Sequence, residues 1–378
     1  MNITWCTTRH FNSDFCSTTQ IELLNRLTAG GYNVRALGPD QPVSNVKWAH
    51  IKIKQSNIKG RKGSSLANNI VTFLKNNLDN CNLLLIDWPL VRKIGAFADK
   101  MNLPWICIDR SPPADSGIFA ALQSLVWQKA WKYVSSSTGS KQCLGGTVVS
   151  KAHQDMISNK FQIEPGNLCI LMAGVNLSNF ISKANDERLS GLNLVYHGRI
   201  DRNRGIMNLP LILEKLLRHD IDAKMHFIGD GDVYHLLENI SKTEPNLILH
   251  GKIKHEELPQ EICNYQIGLL PMPPISAWTI ASPLKRSEYL ASGLAVLGVD
   301  HPGHHLPCGK SNTEWYALVD QESFVSDAVA QIIKWNEKGH FTDMGLKSRT
   351  YAEKNLDWNI TCLLYTSGAA DEEDSVDL

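Results

Sequence analysis

The sequence predicts an α/β chain of two domains, each built on a doubly wound parallel sheet. Three observations carry this. Short apolar and β-branched runs alternate with helical periodicities along almost the whole chain, which is the pattern of repeated βα units. Several of those runs, such as LLLID at Leu83–Asp87 and LAVLGV at Leu294–Val299, are apolar on both faces, as strands covered by helices on either side must be. With 378 residues, 43% of them hydrophobic and 20% charged, the chain also has more material than one core organises.

The first domain opens with Asn2–Thr7 as a strand and Arg9–Cys16 as a polar loop. A helix follows that Ser17, Thr18 or Thr19 can cap and that Gly30 and Gly31 end. Tyr32–Leu37 is the next strand. The densest basic run, Lys52–Lys62 (KIKQSNIKGRK), reads as an exposed loop, or as one that meets an anionic ligand or lipid headgroups. Leu83–Asp87 and Pro104–Asp109 are buried strands. Ligands of open α/β sheets gather at the carboxyl ends of strands, which singles out Asp87, Asp109, Arg110 and the loop SPPADSG. Asp109 can serve as a general base or cap the helix that follows. Ile118–Val134 sets Leu122, Leu125, Val126, Trp127 and Trp131 at helical spacing, a core helix by default and an interfacial membrane helix as the alternative. Thr147–Ser150 reads as the closing strand, with Lys151 and His153 on the helix after it. Cys169–Phe180 is a strand and a glycine turn, and Lys183–Ser190 a polar linker. The first domain therefore takes residues 1–175, the linker 176–191 and the second domain 192–345.

That second domain begins with the strand Leu192–His197, then Gly198 and Arg199, then Arg204 and Gly205 leading into a helix. Two arginines five apart on a glycine-flanked loop, between a strand end and a helix start, suit a diphosphate. Glycine lets the backbone approach, arginine offers a planar fork of donors, and the helix dipole adds to both. Met225–Asp232 (MHFIGDGD) is a strand running into a turn that holds Gly229 and Gly231. Its Asp230-Gly231-Asp232 has the form of a metal-binding pair, but the turn context argues against a metal there. Leu247–Gly251 and Ile267–Leu270 are further strands. Ser282–Gly293 (SPLKRSEYLASG) then opens with Ser282 and Pro283 as a helix start, proline taking the first turn. Leu284, Tyr289 and Leu290 can pack inward while Lys285 and Glu288, three apart, share a face. A cation and a carboxylate beside a helix mouth that favours anions suit a ligand with both phosphate and hydroxyl groups, such as a nucleoside diphosphate. Trp315–Val319 closes the sheet, and Phe324–Trp335 and Gly345–Trp358 are helices.

The run P-x-K-x-x-E-Y-x-A-x-G from Pro283 to Gly293, followed by an apolar strand, resembles the donor-binding helix of the large, mostly retaining family of nucleotide-sugar glycosyltransferases (group 1, family 4-like). That resemblance implies the GT-B architecture: two Rossmann-like domains facing across a cleft, the first for the acceptor and the second for the donor. It implies that Glu288 holds the ribose hydroxyls, that Lys285, Ser282 and Pro283 lie at the donor, and that Arg199 and Arg204 stabilise the leaving diphosphate. Gly198, Gly229 and Gly231 would border the nucleotide, with Ile253 beside its base. Residues 346–361 would be the final helix, crossing back to the first domain. The chain departs from the family pattern at several points: Arg204 for a lysine, Ala173 for an asparagine, Asp109 where a histidine is common, FNSDFCS for a Gly-Gly loop, and Ile280 where an acid usually contacts the sugar. The expected activity is metal-independent transfer of a sugar from a nucleotide-diphosphate sugar to a glycan or lipid-linked acceptor, with no separate cofactor. The alternatives are an inverting enzyme using Asp109 or Asp14 as base, a nucleotide-sugar-binding protein without catalysis, and a sugar-nucleotide epimerase.

The net charge is zero, but residues 1–170 carry 19 Lys and Arg against 10 Asp and Glu. The basic half is expected to face an anionic acceptor or a membrane surface; nucleic acid is not an expected partner. Nine cysteines without paired spacing, and no leader or spanning run, point to a cytoplasmic protein, with peripheral membrane contact left open. His301, His304 and His305 sit in a Pro/Gly turn and are not expected to hold a metal. Cys362–Ser367 (CLLYTS) matches the translation of a sequencing-library adapter, so residues 362–378 are expected to be non-native read-through or else a disordered acidic tail.

Overall fold

The computed structural model describes residues 1–12, 17–58, 60–110, 112–113 and 118–361, with backbone only at 118 and 119. Asp14, most of the loop SPPADSG and the acidic tail lie outside these residues. The chain divides into two compact units, Met1–Met172 and Ala173–Thr361.

In the first unit the elements are β1 (Asn2–Cys6), α1 (Thr18–Ala29), β2 (Asn33–Gly38), β3 (Ala49–Lys52), α2 (Lys62–Lys75), β4 (Leu83–Asp87), α3 (Val91–Lys100), β5 (Trp105–Ile108), α4 (Ile118–Ser137), β6 (Cys143–Val148), α5 (Lys151–Phe161) and β7 (Leu168–Ile170). The sheet is parallel throughout, in the order β3-β2-β1-β4-β5-β6-β7. The chain reverses direction across the sheet between β1 and β4, so a crevice opens at their carboxyl ends. The closing strand starts at Cys143, earlier than the sequence suggested. Its Gly146 is there because Trp131 of α4 lies on it: a Cβ would come 2.7 Å from the indole ring. Helix α4 buries Trp127, Ala130, Trp131 and Val134, as expected of a core helix, and leaves Leu122, Leu125 and Val126 exposed on another face.

The second unit contains β8 (Leu192–Arg199), α6 (Asn208–Arg218), β9 (Ala223–Asp230), α7 (Tyr234–Ser241), β10 (Leu247–Gly251), α8 (Leu258–Ile262), β11 (Ile267–Leu270), α9 (Ser276–Thr279), α10 (Leu284–Ala291), β12 (Ala295–Val299), β13 (Tyr316–Val319), α11 (Phe324–Lys338) and α12 (Phe341–Asn355). Its sheet is again parallel, in the order β10-β9-β8-β11-β12-β13. Strands β8, β11 and β12 are buried almost end to end, which is why they read as continuous apolar runs. Helix α6 shows its core face in the sequence as Leu209, Ile212, Leu213 and Leu216, all buried. Residues 346–361, expected to cross back onto the first domain, belong to this second unit. There Arg349 of α12 donates to the carbonyls of Ala291 and Phe180. Among the described residues no helix is long and apolar enough to cross a membrane.

Candidate functional site

The strand order of the second sheet changes direction between β8 and β11, the place where open α/β sheets bind ligands. These two strands pair only at Leu194 and Val195, then diverge. Tyr289 of α10 fills the gap: its ring lies over Gly268, where a Cβ would come 2.4 Å from it. Its hydroxyl accepts from the His197 N–H at 3.1 Å and donates to the Val195 carbonyl at 3.3 Å, replacing the missing strand pairing. Helix α10 is thereby held across the switch point, and the next polar residues on it, Lys285 and Glu288, meet the end of β8.

Helix α10 is not the amphipathic surface helix its charges suggest. Lys285, Arg286, Ser287 and Glu288 are all buried, and each has its own protein partner. Glu288 lies between two imidazoles: His255 Nε2 is 3.3 Å from Oε1, and His197 Nε2 is 3.2 Å from Oε2, off the line of a well-aligned hydrogen bond. Burial alone would raise the Glu288 carboxyl, but the two imidazoles outweigh it and hold the group well below the usual carboxylate range. Burial also lowers His197, so that near neutral pH a neutral ring faces an ionised carboxylate. Lys285 Nζ reaches the Tyr196 hydroxyl at 3.1 Å and sits 4.4 Å from the centre of that ring. It also borders Gly198, whose added Cβ would come 3.3 Å from Nζ.

The two arginines take different stations. Arg199 is 56% exposed and pairs with Asp201 at 2.8 Å. Arg204 is half-buried, 3.7 Å from the same carboxylate, with its guanidinium 4.6 Å from the centre of the Trp278 ring. Glycines let the loops behind them touch backbone to backbone. Gly229 has φ 137° and its Cβ would fall 1.9 Å from the Gly198 carbonyl; Gly205 has φ 73° and would meet the Pro271 carbonyl at 2.1 Å. Gly231 packs on Ile200 in the same way. Asp230 pairs with Lys252, while Asp232 accepts from the Arg202 N–H, so the two acids of the D-G-D run have separate partners.

The remaining residues expected at the donor are placed as follows. Pro283 is the residue before the first helical turn rather than within it, and Ser282 does not cap the helix. The Ser282 hydroxyl accepts from the Ala173 N–H at 3.0 Å, while Ser287 donates to the Ala173 carbonyl at 2.8 Å. Ala173, which stands where the family pattern has asparagine, is thus strapped to α10. Ile253 packs half-buried on the core. Ile280 is buried, and the Ala281 N–H is already given to the Trp278 carbonyl. The Trp278 indole N–H is buried without an acceptor among the described residues.

Residues 191–335, which hold this whole constellation, match the family model for glycosyl transferases group 1. The second unit is a group 1 glycosyl transferase domain. No curated protein matches the chain. Among solved structures it superposes on sucrose-phosphate synthase from Thermosynechococcus elongatus, with 14% identity, TM-score 0.74 and 98% of each chain covered. It superposes also on Anabaena HepE in complex with UDP and glucose, with 11% identity, TM-score 0.73, 98% of this chain and 99% of that one. A third likeness is WaaG, a glycosyltransferase involved in lipopolysaccharide biosynthesis, with 12% identity, TM-score 0.67, and 93% and 95% covered. The fold is that of the GT-B glycosyltransferases.

The sequence reading of this transferase domain missed His197 and His255. His197 had a signal, since it ends the strand just before Gly198 and Arg199; His255 comes from a loop whose position only the fold fixes. In the first unit, the acceptor-side candidates are placed less simply. Asp87 is buried and accepts from the Trp5 indole at 2.9 Å, the Thr7 hydroxyl at 2.6 Å and Gln20 at 3.1 Å. Asp109 is wholly buried beneath α4, accepting from the Trp127 and Trp131 indoles at 2.6 and 2.8 Å, with His153 Nε2 at 3.6 Å. Burial would raise its carboxyl, but these groups hold it below the usual range. Such a carboxylate anchors a helix; it is not open to a substrate as a base would be. Arg110 donates to the Leu171 carbonyl at 2.7 Å.

Proposed function

We propose that this protein transfers a sugar from a nucleoside diphosphate sugar to a glycan or lipid-linked acceptor, without a metal ion and with retention of configuration. The observation that carries the reading is the group at the β8/β11 switch point: an ionised, buried Glu288 with Lys285 and Arg204 around the Gly198 turn. A buried, acceptor-only carboxylate suits the two ribose hydroxyls, each able to donate to it. Lys285 and Arg204, with Arg199 swinging from Asp201, supply positive charge where the diphosphate leaves; stabilising that developing charge is the largest electrostatic task of the reaction. The HepE structure holding UDP and glucose supports a uridine nucleotide as the first donor to try. Retention rests on the resemblance to mostly retaining enzymes. A cytoplasmic location, at the periphery of a membrane when the acceptor is lipid-linked, accords with this chemistry.

One observation favours a second reading. Ile280 occupies the place of the acid that usually contacts the sugar, which suits a protein that binds a nucleotide sugar without turning it over. Incubation with UDP-glucose, UDP-N-acetylglucosamine and GDP-mannose in EDTA, followed by chromatography for released nucleoside diphosphate, separates the two. Release above the uncatalysed rate is the result expected of a transferase; binding with no release favours the second reading.

A further inference from the structure

The first unit has its own cleft at the β1/β4 switch point, about 920 Å³ in volume, and its walls differ in chemistry. The wall from α2 and α3 is cationic, with Lys62, Arg92 and Lys93; Lys129 adds a fourth cation from α4, and none of the four forms an ion pair or hydrogen bond among the described residues. Among the described residues the lone acid on the lining is Asp87, whose oxygens are engaged with Trp5, Thr7, Thr8 and Gln20. The α4 wall is otherwise mainly apolar. Leu122, Leu125 and Val126 of α4, spaced as one helical stripe, line the cleft while 53%, 50% and 43% exposed, so nothing among the described residues covers them. At the floor, Gln20 is 2% exposed and its amide nitrogen is committed to Asp87. That orientation leaves Oε1 buried without a donor, on a residue that lines the cleft.

Cations without a partner and an apolar stripe without cover among the described residues, with a buried acceptor atom in the same cleft, call for one ligand with three parts. We propose that this cleft binds an amphiphile with a phosphate-class anionic head on Lys62, Arg92, Lys93 and Lys129 and an apolar chain along Leu122, Leu125 and Val126. A hydroxyl or other donor of the head meets Gln20 Oε1. As the acceptor of the sugar, this amphiphile rests on the transfer reading above; its binding does not. A polyanionic glycan would satisfy the cations but leave the leucines wet, and a neutral lipid would do the reverse.

The test uses the full chain and titrates farnesyl phosphate, farnesol and inorganic phosphate below micelle-forming concentrations, followed by calorimetry. Farnesyl phosphate should bind at least tenfold more tightly than either of the others. The double variant Arg92→Glu/Lys93→Glu should weaken it tenfold or more, as should a rise in salt. Leu125→Ser, at an exposed position, should weaken farnesyl phosphate several-fold and leave inorganic phosphate unchanged. Equal binding of farnesol, equal binding of inorganic phosphate, or tighter binding of a sulfated oligosaccharide would each overturn the proposal, as would no binding to folded protein. Nucleotide binding by the second unit is measured on the same variants and should not change. Farnesyl phosphate binding without nucleotide binding would sink the transfer reading and keep this cleft; nucleotide binding without farnesyl phosphate binding would do the opposite.

Discussion

Glu288→Gln keeps the shape of the side chain and removes its charge, so it isolates what the two imidazoles contribute. The His255 contact at 3.3 Å is a hydrogen bond to an ion; such bonds contribute about 1.5–3 kcal/mol, against about 0.5–1.5 for neutral ones. Its loss of strength is about 1 kcal/mol, discounted because the His255 side chain is 44% exposed. The poorly aligned His197 contact at 3.2 Å adds somewhat less, and relief of the buried charge offsets part of the total. The net expectation is about 1 kcal/mol, or roughly 2–4 °C in the melting temperature of a unit this size. The pH dependence fixes the sign. Because the folded protein holds the Glu288 carboxyl below its usual range, its contribution is fully present above the unfolded-chain value, about pH 4.3, and is lost as pH falls through the folded value. Melting curves of both proteins should therefore differ most above about pH 5 and converge in acid. A variant as stable as the wild type at pH 7, or a difference that grows in acid, would refute the reasoning.

Two further outcomes follow from the geometry. Arg204→Ala should weaken a nucleoside diphosphate about 10–100-fold by calorimetry and leave the nucleoside alone unaffected, since the guanidinium is assigned to the phosphates. The melting temperature should move little, because the Asp201 contact at 3.7 Å is long and partly exposed. Asp109→Asn should cost about 2–4 kcal/mol in denaturant titrations, as two buried indoles lose a charged acceptor, with nucleotide affinity unchanged. An intact, fully stable Asp109→Asn protein that had lost turnover would restore Asp109 as a base.

Much of the fold was legible because parallel strands between helix layers are apolar on both faces, and Leu192–His197, Ile267–Leu270 and Leu294–Val299 show this directly. The residues expected at the donor lie on one short helix and one strand end, so Glu288, Lys285, Arg199 and Arg204 could be named from spacing and the family resemblance. Their partners could not. Tyr289 bridging diverging strands, and His255 arriving from a loop to Glu288, depend on where non-adjacent segments meet. Asp109 misled for a related reason: a carboxylate at a strand end looks open to a ligand, and only the packing of α4 shows two indoles over it. Likewise β3 and α2 went unread: Ala49–Lys52 is short and half polar, and the stripe of Leu66, Ala67, Ile70 and Leu74 in Lys62–Lys75 was passed over beside the basic run before it.

The central claim is that the mouth around Glu288 binds a nucleoside diphosphate through protein groups alone. Thermal denaturation of the full chain with UDP, GDP, ADP and dTDP in EDTA tests it most directly. At about 100 times its dissociation constant a true ligand adds roughly 2.7 kcal/mol. The account predicts that one nucleotide raises the melting temperature of the wild type by several degrees and that Glu288→Gln loses most of the rise. A folded protein that none of the four stabilises would contradict it.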